Sequence, residues 1–149
     1  MRHRILSAAF LAVVTITTSA QWLSPKGIPA YHPNPPKKGE KLPAILPANQ
    51  RTGPYFQHKA QVRAYELAEK LAPVLHQQPC YCYCDKGHGH KSLRTCFQDT
   101  HGATCAACLK EVFYTHQMTL KKKTPAQIRA GIIRGDWQDV DLETAANIK

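Results

Sequence analysis

Apolar residues recur at helical spacing in three stretches of this chain, and nowhere do they alternate as a strand requires. Over Gln57 to Ala72, continued by Leu75, the apolar positions Val62, Tyr65, Ala68 and Leu71 stand three or four residues apart, with Glu66 and Lys70 placed as an i,i+4 pair. Pro73 ends or kinks that helix, because its ring removes a backbone donor and clashes with the preceding turn. The strongest periodicity starts near Thr104, a suitable N-cap, and runs through Leu109, Val112, Phe113, His116 and Leu120. Lys121 to Lys123 suit the negative C-terminal end of that helix. Thr124-Pro125-Ala126-Gln127 is a capping box with proline at the first helical position. It opens a last helix through Ile128, Ile132 and Ile133, stopped by Gly135. Trp137 is expected to pack back on the domain, and the tail after Val140 to be mobile. From Pro79 to Asp99 no period holds. Asp85-Lys86-Gly87-His88-Gly89-His90 is turn chemistry, and a short helical turn fits Ser92 to Phe97. The expected class is all-α: a small three-helix domain with an irregular, cysteine-rich loop.

The N-terminal third reads differently. Arg2 and Arg4, an apolar run from Ile5 to Thr18 and the small residues Thr18-Ser19-Ala20 make residues 1–20 resemble a secretory signal peptide. The run is short for a membrane span, which takes about 20 apolar residues. No cysteine stands beside the cleavage point, which speaks against a lipid anchor. Residues 21–56 carry Pro25, Pro29, Pro33, Pro35, Pro36, Pro43 and Pro47 among Lys26, Lys37, Lys38 and Lys41, without an apolar pattern. That composition suits an extended, solvated spacer. Residues 57–149 then form one domain, small enough to benefit from a metal or disulfide staple.

The formal charge of +10 includes Arg2 and Arg4 of the leader. The lysines are spread over the spacer and helix ends, with no basic stripe interleaved with aromatics. Together with an exported location, periplasmic or extracellular, this argues against nucleic acid as a partner. Stable membrane insertion after leader cleavage is not expected either.

The six cysteines change the picture most, since all fall between Cys80 and Cys108: Cys80, Cys82 and Cys84 alternate, Cys96 follows, and Cys105-Ala106-Ala107-Cys108 closes the run. An oxidising compartment permits disulfides, and six cysteines allow 15 connectivities. Three readings stay open. In the first, Cys82 and Cys84 on a turn face Cys105 and Cys108 in the first turn of a helix, giving four thiolates for Zn(II) or Cu(I). Cys80, Cys96, His90 and His101 are then accessory ligands, with His88 more loosely held between Gly87 and Gly89. In the second, Cys105 and Cys108 are a redox pair whose thiolate is favoured by the helix N-terminus, working with a redox partner protein. No strand pattern precedes them, as a thioredoxin-like unit would have. In the third the cysteines are structural, with a bridge such as Cys80 to Cys96, since adjacent C-x-C pairs bridge poorly. Leu109 follows the C-x-x-C where histidine would be needed, so covalent haem attachment is not expected. His116 reads as a core histidine, and His58 and His76 as surface residues.

Pro79 to Cys84, Gly89-His90-Lys91-Ser92-Leu93, Cys96-Phe97, His101-Gly102 with Cys105 and Cys108, and the closing segment Thr124 to Trp137 occur in an ordered combination. It resembles the exported bacterial proteins of the PCYCGC, or CYCXC, motif family over Leu71 to about Leu142. The family has no established activity, and some members are described as selenoproteins. The resemblance therefore favours the soft-metal and redox readings over a purely structural one. Where the family often has glycine between the second and third cysteines, this chain has Tyr83, which weighs against a very tight turn there.

Overall fold

The three apolar periodicities become α1, α4 and α5 among six α-helices in the computed structural model, which describes residues 27–148: α1 Lys59–Lys70, α2 Ala72–Leu75, α3 Cys84–Gly87, α4 Ala106–Leu120, α5 Pro125–Arg134 and α6 Leu142–Ala145. Short 3-10 turns join them, notably Leu93–Phe97 and His101–Thr104. No strand occurs among the described residues, so the protein is all-helical, with α1, α4 and α5 as its frame. No helix among them is long and apolar enough to cross a membrane. The leader read in residues 1–20 lies outside the described residues.

Helix α4 is the axis of the domain, packed by α1, α2, α5 and α6. Its middle turns are buried almost all round: Cys108, Leu109, Glu111, Val112, Phe113, Tyr114 and Thr115 are all covered. A helix enclosed by neighbours carries a wider apolar surface than a one-sided stripe. The stripe expected from spacing also runs out early, since His116 is half-buried and Leu120 is exposed. Helix α5 begins as the sequence indicates. Thr124 accepts a hydrogen bond from the Gln127 N–H (3.3 Å) and Gln127 Oε1 accepts from the Thr124 N–H (3.0 Å). Gly135, at φ 90°, ends it in the left-handed conformation that glycine tolerates.

Helix α1 breaks at Leu71 before Pro73, as expected, and α2 continues for one turn. Its buried face is Ala64, Tyr65, Leu67 and Ala68, and Glu66 pairs with Arg63 (2.9 Å) rather than with Lys70. Tyr65 is the main anchor of the loop that follows. Its ring meets Phe56 and Phe97 edge-on at 5.0 and 4.9 Å. Its hydroxyl donates to the Asp99 carbonyl (2.6 Å) and accepts from the Ala103 N–H (3.0 Å). Tyr65→Phe leaves both backbone groups without that partner, and a loss of about 1–3 kcal/mol in urea unfolding is expected. An unchanged midpoint would show that the hydroxyl does not anchor the loop.

Two segments differ from the sequence expectation. The segment read as a solvated spacer lies along the domain: Ile45, Leu46 and Phe56 are in the core and the Arg51 guanidinium is buried. Arg51 donates to the Leu46 carbonyl (2.8 Å) and pairs with Glu69. The Leu46 N–H donates to the Phe97 carbonyl (2.9 Å), and buried Arg94 donates to the Pro43 carbonyl. Further upstream, the rings of His32 and His76 stack at 3.8 Å, Tyr31 lies under Arg129, and the Ala30 N–H reaches Asp85 (3.1 Å). His76 is therefore buried, not a surface residue. These contacts involve single side chains at irregular intervals, which periodicity does not detect. The tail expected to be mobile forms α6, capped by Asp141 on the Thr144 N–H (2.7 Å), and buries Ala145 and Ala146.

Candidate metal centre

The chain enters the cysteine loop from a fixed point. Gln78 is fully buried, its carbonyl accepts from the Leu93 N–H (2.9 Å), and its side-chain amide donates to the Pro125 carbonyl (3.2 Å). From there the Tyr81 N–H donates to Glu111 on α4 (2.7 Å), and the Tyr83 N–H closes a turn on the Cys80 carbonyl (3.1 Å). Tyr83 occupies the left-handed region at φ 57°, ψ 33°, and α3 starts directly after it. The tight turn that tyrosine was expected to disfavour is thus formed. It is what sends the Cys80, Cys82 and Cys84 sulfurs to one side.

Cys108 meets them from α4, where the helix axis leaves it no exposure, and Cys96 from the 3-10 turn Leu93–Phe97. The sulfurs of Cys80, Cys82, Cys84, Cys96 and Cys108 all lie within 4.8 Å of one another and could hold a metal ion. The closest spacings are 2.6 Å for Cys82 to Cys84, 3.0 Å for Cys80 to Cys82, and 3.4 and 3.5 Å from Cys108 to Cys80 and Cys82. Four thiolates around one ion at about 2.3 Å are separated by about 3.8 Å, so seating an ion opens the tightest pair by roughly an ångström. All six cysteines are free thiols, and the bridge suggested between Cys80 and Cys96 is not formed.

The four cysteines expected together from spacing are not all placed together. Cys82, Cys84 and Cys108 come together, but Cys105 does not join the five. The helix begins one residue later than expected, with Cys105 and not Thr104 at the N-cap, and Thr104 closes the preceding 3-10 turn. Cys105 is half-exposed on the rim, while Cys80 and Cys96, expected as accessories, are buried within the cluster. His101 and His90 do reach it: His101 Nε2 is 2.9 Å from Cys84 Sγ and His90 Nδ1 is 3.2 Å from Cys96 Sγ. His101 is fixed by Gly102, where an added Cβ would stand 2.7 Å from the Cys96 carbonyl oxygen.

Five thiols this close cannot all ionise, and their surroundings favour the charge at Cys82 and Cys84. The neighbouring thiols of Cys105, Cys108, Cys80 and Cys96 hold Cys82 far below the ordinary thiol range, and those of Cys108, Cys80 and Cys96 do the same for Cys84. Cys108 is pushed far up by its thiol neighbours Cys105, Cys80, Cys82 and Cys84 and by burial. Cys105 is also raised: Cys108 pulls it down, but the neighbouring Cys82 and burial outweigh that pull. The thiolate favoured by the helix N-terminus is therefore not at Cys105. Burial alone would lower His101, yet its hydrogen bond to Cys84 and the Cys84 charge raise it above the ordinary imidazole value. A residue that spacing did not single out lies beside them. Glu111 is fully enclosed, and burial pushes its carboxyl up to about 8 against the pull of Cys80 and the Tyr81 N–H. Its position three residues after Cys108 puts it on the same helix face, a signal visible in the sequence.

A family model described as a protein of unknown function with PCYCGC motif matches residues 47–139. The chain belongs to the PCYCGC-motif family. No curated protein and no solved structure matches it. The family match begins upstream of the helices, beside buried Leu46, which fits the packed state of the supposed spacer. In the PCYCGC motif the fifth position is glycine, here Tyr83, and the backbone explains the glycine: this position is left-handed, where a side chain costs about 1–2 kcal/mol. Tyr83→Gly should retain the turn, whereas Tyr83→Val, β-branched at positive φ, should lower the thermal midpoint by several degrees. Equal midpoints for the two variants would contradict the left-handed assignment.

Proposed function

We propose that this PCYCGC protein is an exported metal-binding protein whose thiolate pocket takes a soft ion, Cu(I) or Zn(II). The observation that carries the reading is the convergence of five sulfurs, from two loops and the central helix, within 4.8 Å. Such a cluster serves no packing need that smaller apolar residues would not meet. Thiolates are the ligands that select these ions over harder ones. Without an ion the pocket favours negative charge at Cys82 and Cys84 and disfavours it at Cys108. A bound cation neutralises that charge and releases the remaining thiol protons. It also ties the Cys80–Cys84 turn and the Cys96 turn to α4, so binding stabilises the folded domain. The pattern of residues 1–20 supports the exported location.

Anaerobic titration of the reduced protein with Zn(II) and with Cu(I), each against a chromophoric chelator, tests this. Binding of at least one equivalent is expected, with Cys80, Cys82, Cys84, Cys96 and Cys108 protected from alkylation and Cys105 still modified. Failure of both ions to compete, with all six thiols equally reactive, would reject the reading.

One observation favours a second reading, thiol–disulfide exchange. Cys84 Sγ lies 2.9 Å from His101 Nε2, placed for activation by the imidazole, and Cys108, within 4.8 Å of Cys84, could resolve a mixed disulfide with a partner protein. This moves the working pair from Cys105 and Cys108, suggested by the C-x-x-C spacing, to Cys84 and Cys108. Reductant-dependent reduction of a disulfide substrate that is lost in Cys84→Ser would support it, and a rate no higher than that of the reductant alone would dismiss it.

A further inference from the structure

The thiolate pocket has an imidazole-lined side. Cys84 Sγ and ring nitrogens of His90 and His101 lie within 4.8 Å of one another, a second group in which Cys84 is the only member shared with the five-thiol cluster. His101 and His90 are half-buried, their rings 5.1 Å apart, and the exposed ring of His88 stands 4.6 Å from His101 and 5.7 Å from His90. The backbone builds this arrangement. The N–H groups of His88 and His90 both donate to the Cys84 carbonyl (2.8 and 3.3 Å), with Gly89 between them at φ 67°. The two histidines are thereby wrapped around the residue whose sulfur they approach. His101 is held from the other side by its N–H to Asp99 Oδ1 (2.7 Å) and by the close contact of Gly102 with Cys96.

We infer that Cys84, His90 and His101 form a second metal site, for a divalent ion of borderline softness such as Zn(II), with Cys84 bridging to the thiolate pocket and His88 within reach as a fourth ligand. The donor set differs in kind from the buried one. Two imidazoles and one thiolate suit Zn(II) or Co(II), whereas five thiolates take the softer Cu(I) as well as these ions. The site also differs in access, because His88 is exposed and the Cys80, Cys96 and Cys108 sulfurs are not. An ion arriving from solvent meets the imidazoles first, and the shared sulfur places it next to the deeper pocket. This inference rests on the proposed thiolate site for its bridging ligand but predicts a separate equivalent of metal.

The test is Co(II) and Zn(II) titration of the reduced full chain, comparing wild type with a His90→Ala/His101→Ala double variant checked for helical content by circular dichroism. Two equivalents are expected for the wild type and one for the variant, whose Co(II) spectrum retains the thiolate charge-transfer band. In the wild type, carbethoxylation of His90 and His101, read by mass spectrometry, is expected to fall at least tenfold on the second equivalent and not on the first. That second readout holds even if the variant does not fold. Retention of both equivalents by the variant, or histidines equally reactive with and without the second equivalent, would overturn the second site and leave the thiolate pocket standing. Loss of all metal from a folded variant would mean one mixed site and would overturn it too. A wild type that binds no ion at all would overturn both readings.

Discussion

Replacing Cys108 by serine is expected to weaken Zn(II) and Cu(I) binding by more than about 100-fold, a larger effect than loss of a residue that only supports a ligand. Cys108 is the one cluster thiol carried by the central helix. It is fully buried and its sulfur is 3.4 and 3.5 Å from those of Cys80 and Cys82. The other four thiols sit on the Cys80–Cys84 loop and the Cys96 turn, so without Cys108 a bound ion no longer ties loop to helix. Serine keeps the size and the hydrogen-bonding capacity, which makes the change one of metal affinity more than of packing. Cys105→Ser provides the contrast: its sulfur is outside the five, and the affinity should change less than about threefold. Competition titration of the two variants side by side checks this. Equal losses at both positions would mean that the C-x-x-C pair, not the five-thiol convergence, holds the ion.

Glu111→Gln is expected to stabilise the metal-free protein by up to about 3 kcal/mol at pH 7, at 1.36 kcal/mol per unit of pKa change. The carboxyl is fully buried and its pKa in the folded chain is about 8, against an ordinary value of 4.5. A raised folded pKa means that the folded state holds the proton more tightly than the unfolded one. Its stabilising effect is complete below about pH 4.5 and is lost as the pH rises toward 8. Glutamine keeps an oxygen for the Tyr81 N–H and carries no charge, so the variant should lose this part of the pH dependence. Chemical denaturation between pH 4 and 9 would show the wild-type and variant curves converging at the acid end. Parallel curves across the range would show that Glu111 is not the group responsible.

The frame of the domain was legible because helix signals are local. The capping box at Thr124, Gly135 as a stop and Pro73 as a break all act over a few residues, and each is found where spacing put it. What spacing missed depends on contacts between distant segments. Cys105 and Cys108 fall on one apolar stripe, but the chain turns as a 3-10 helix up to Thr104, so Cys105 caps α4 and leaves the cluster. Cys80 and Cys96 are 16 residues apart in a stretch without period, and contacts such as the hydrogen bond from Leu93 to Gln78 bring their turns together. The proline-rich segment has the composition of a spacer, yet Ile45, Leu46, Arg51 and Phe56 are buried one by one where no stripe exists. His90 and His101 were identifiable as ligand types. Their aim at Cys96 and Cys84 follows from Gly89 and Gly102, whose backbone roles show only in three dimensions.

The most direct measurement is metal content and free-thiol count on protein purified from its native compartment without added chelator or metal. The thiolate-pocket reading predicts one or more equivalents of copper or zinc per chain, with at least the five cluster cysteines recovered as thiols after the metal is removed. Less than about a tenth of an equivalent of metal, with all six cysteines found in disulfides, would contradict it.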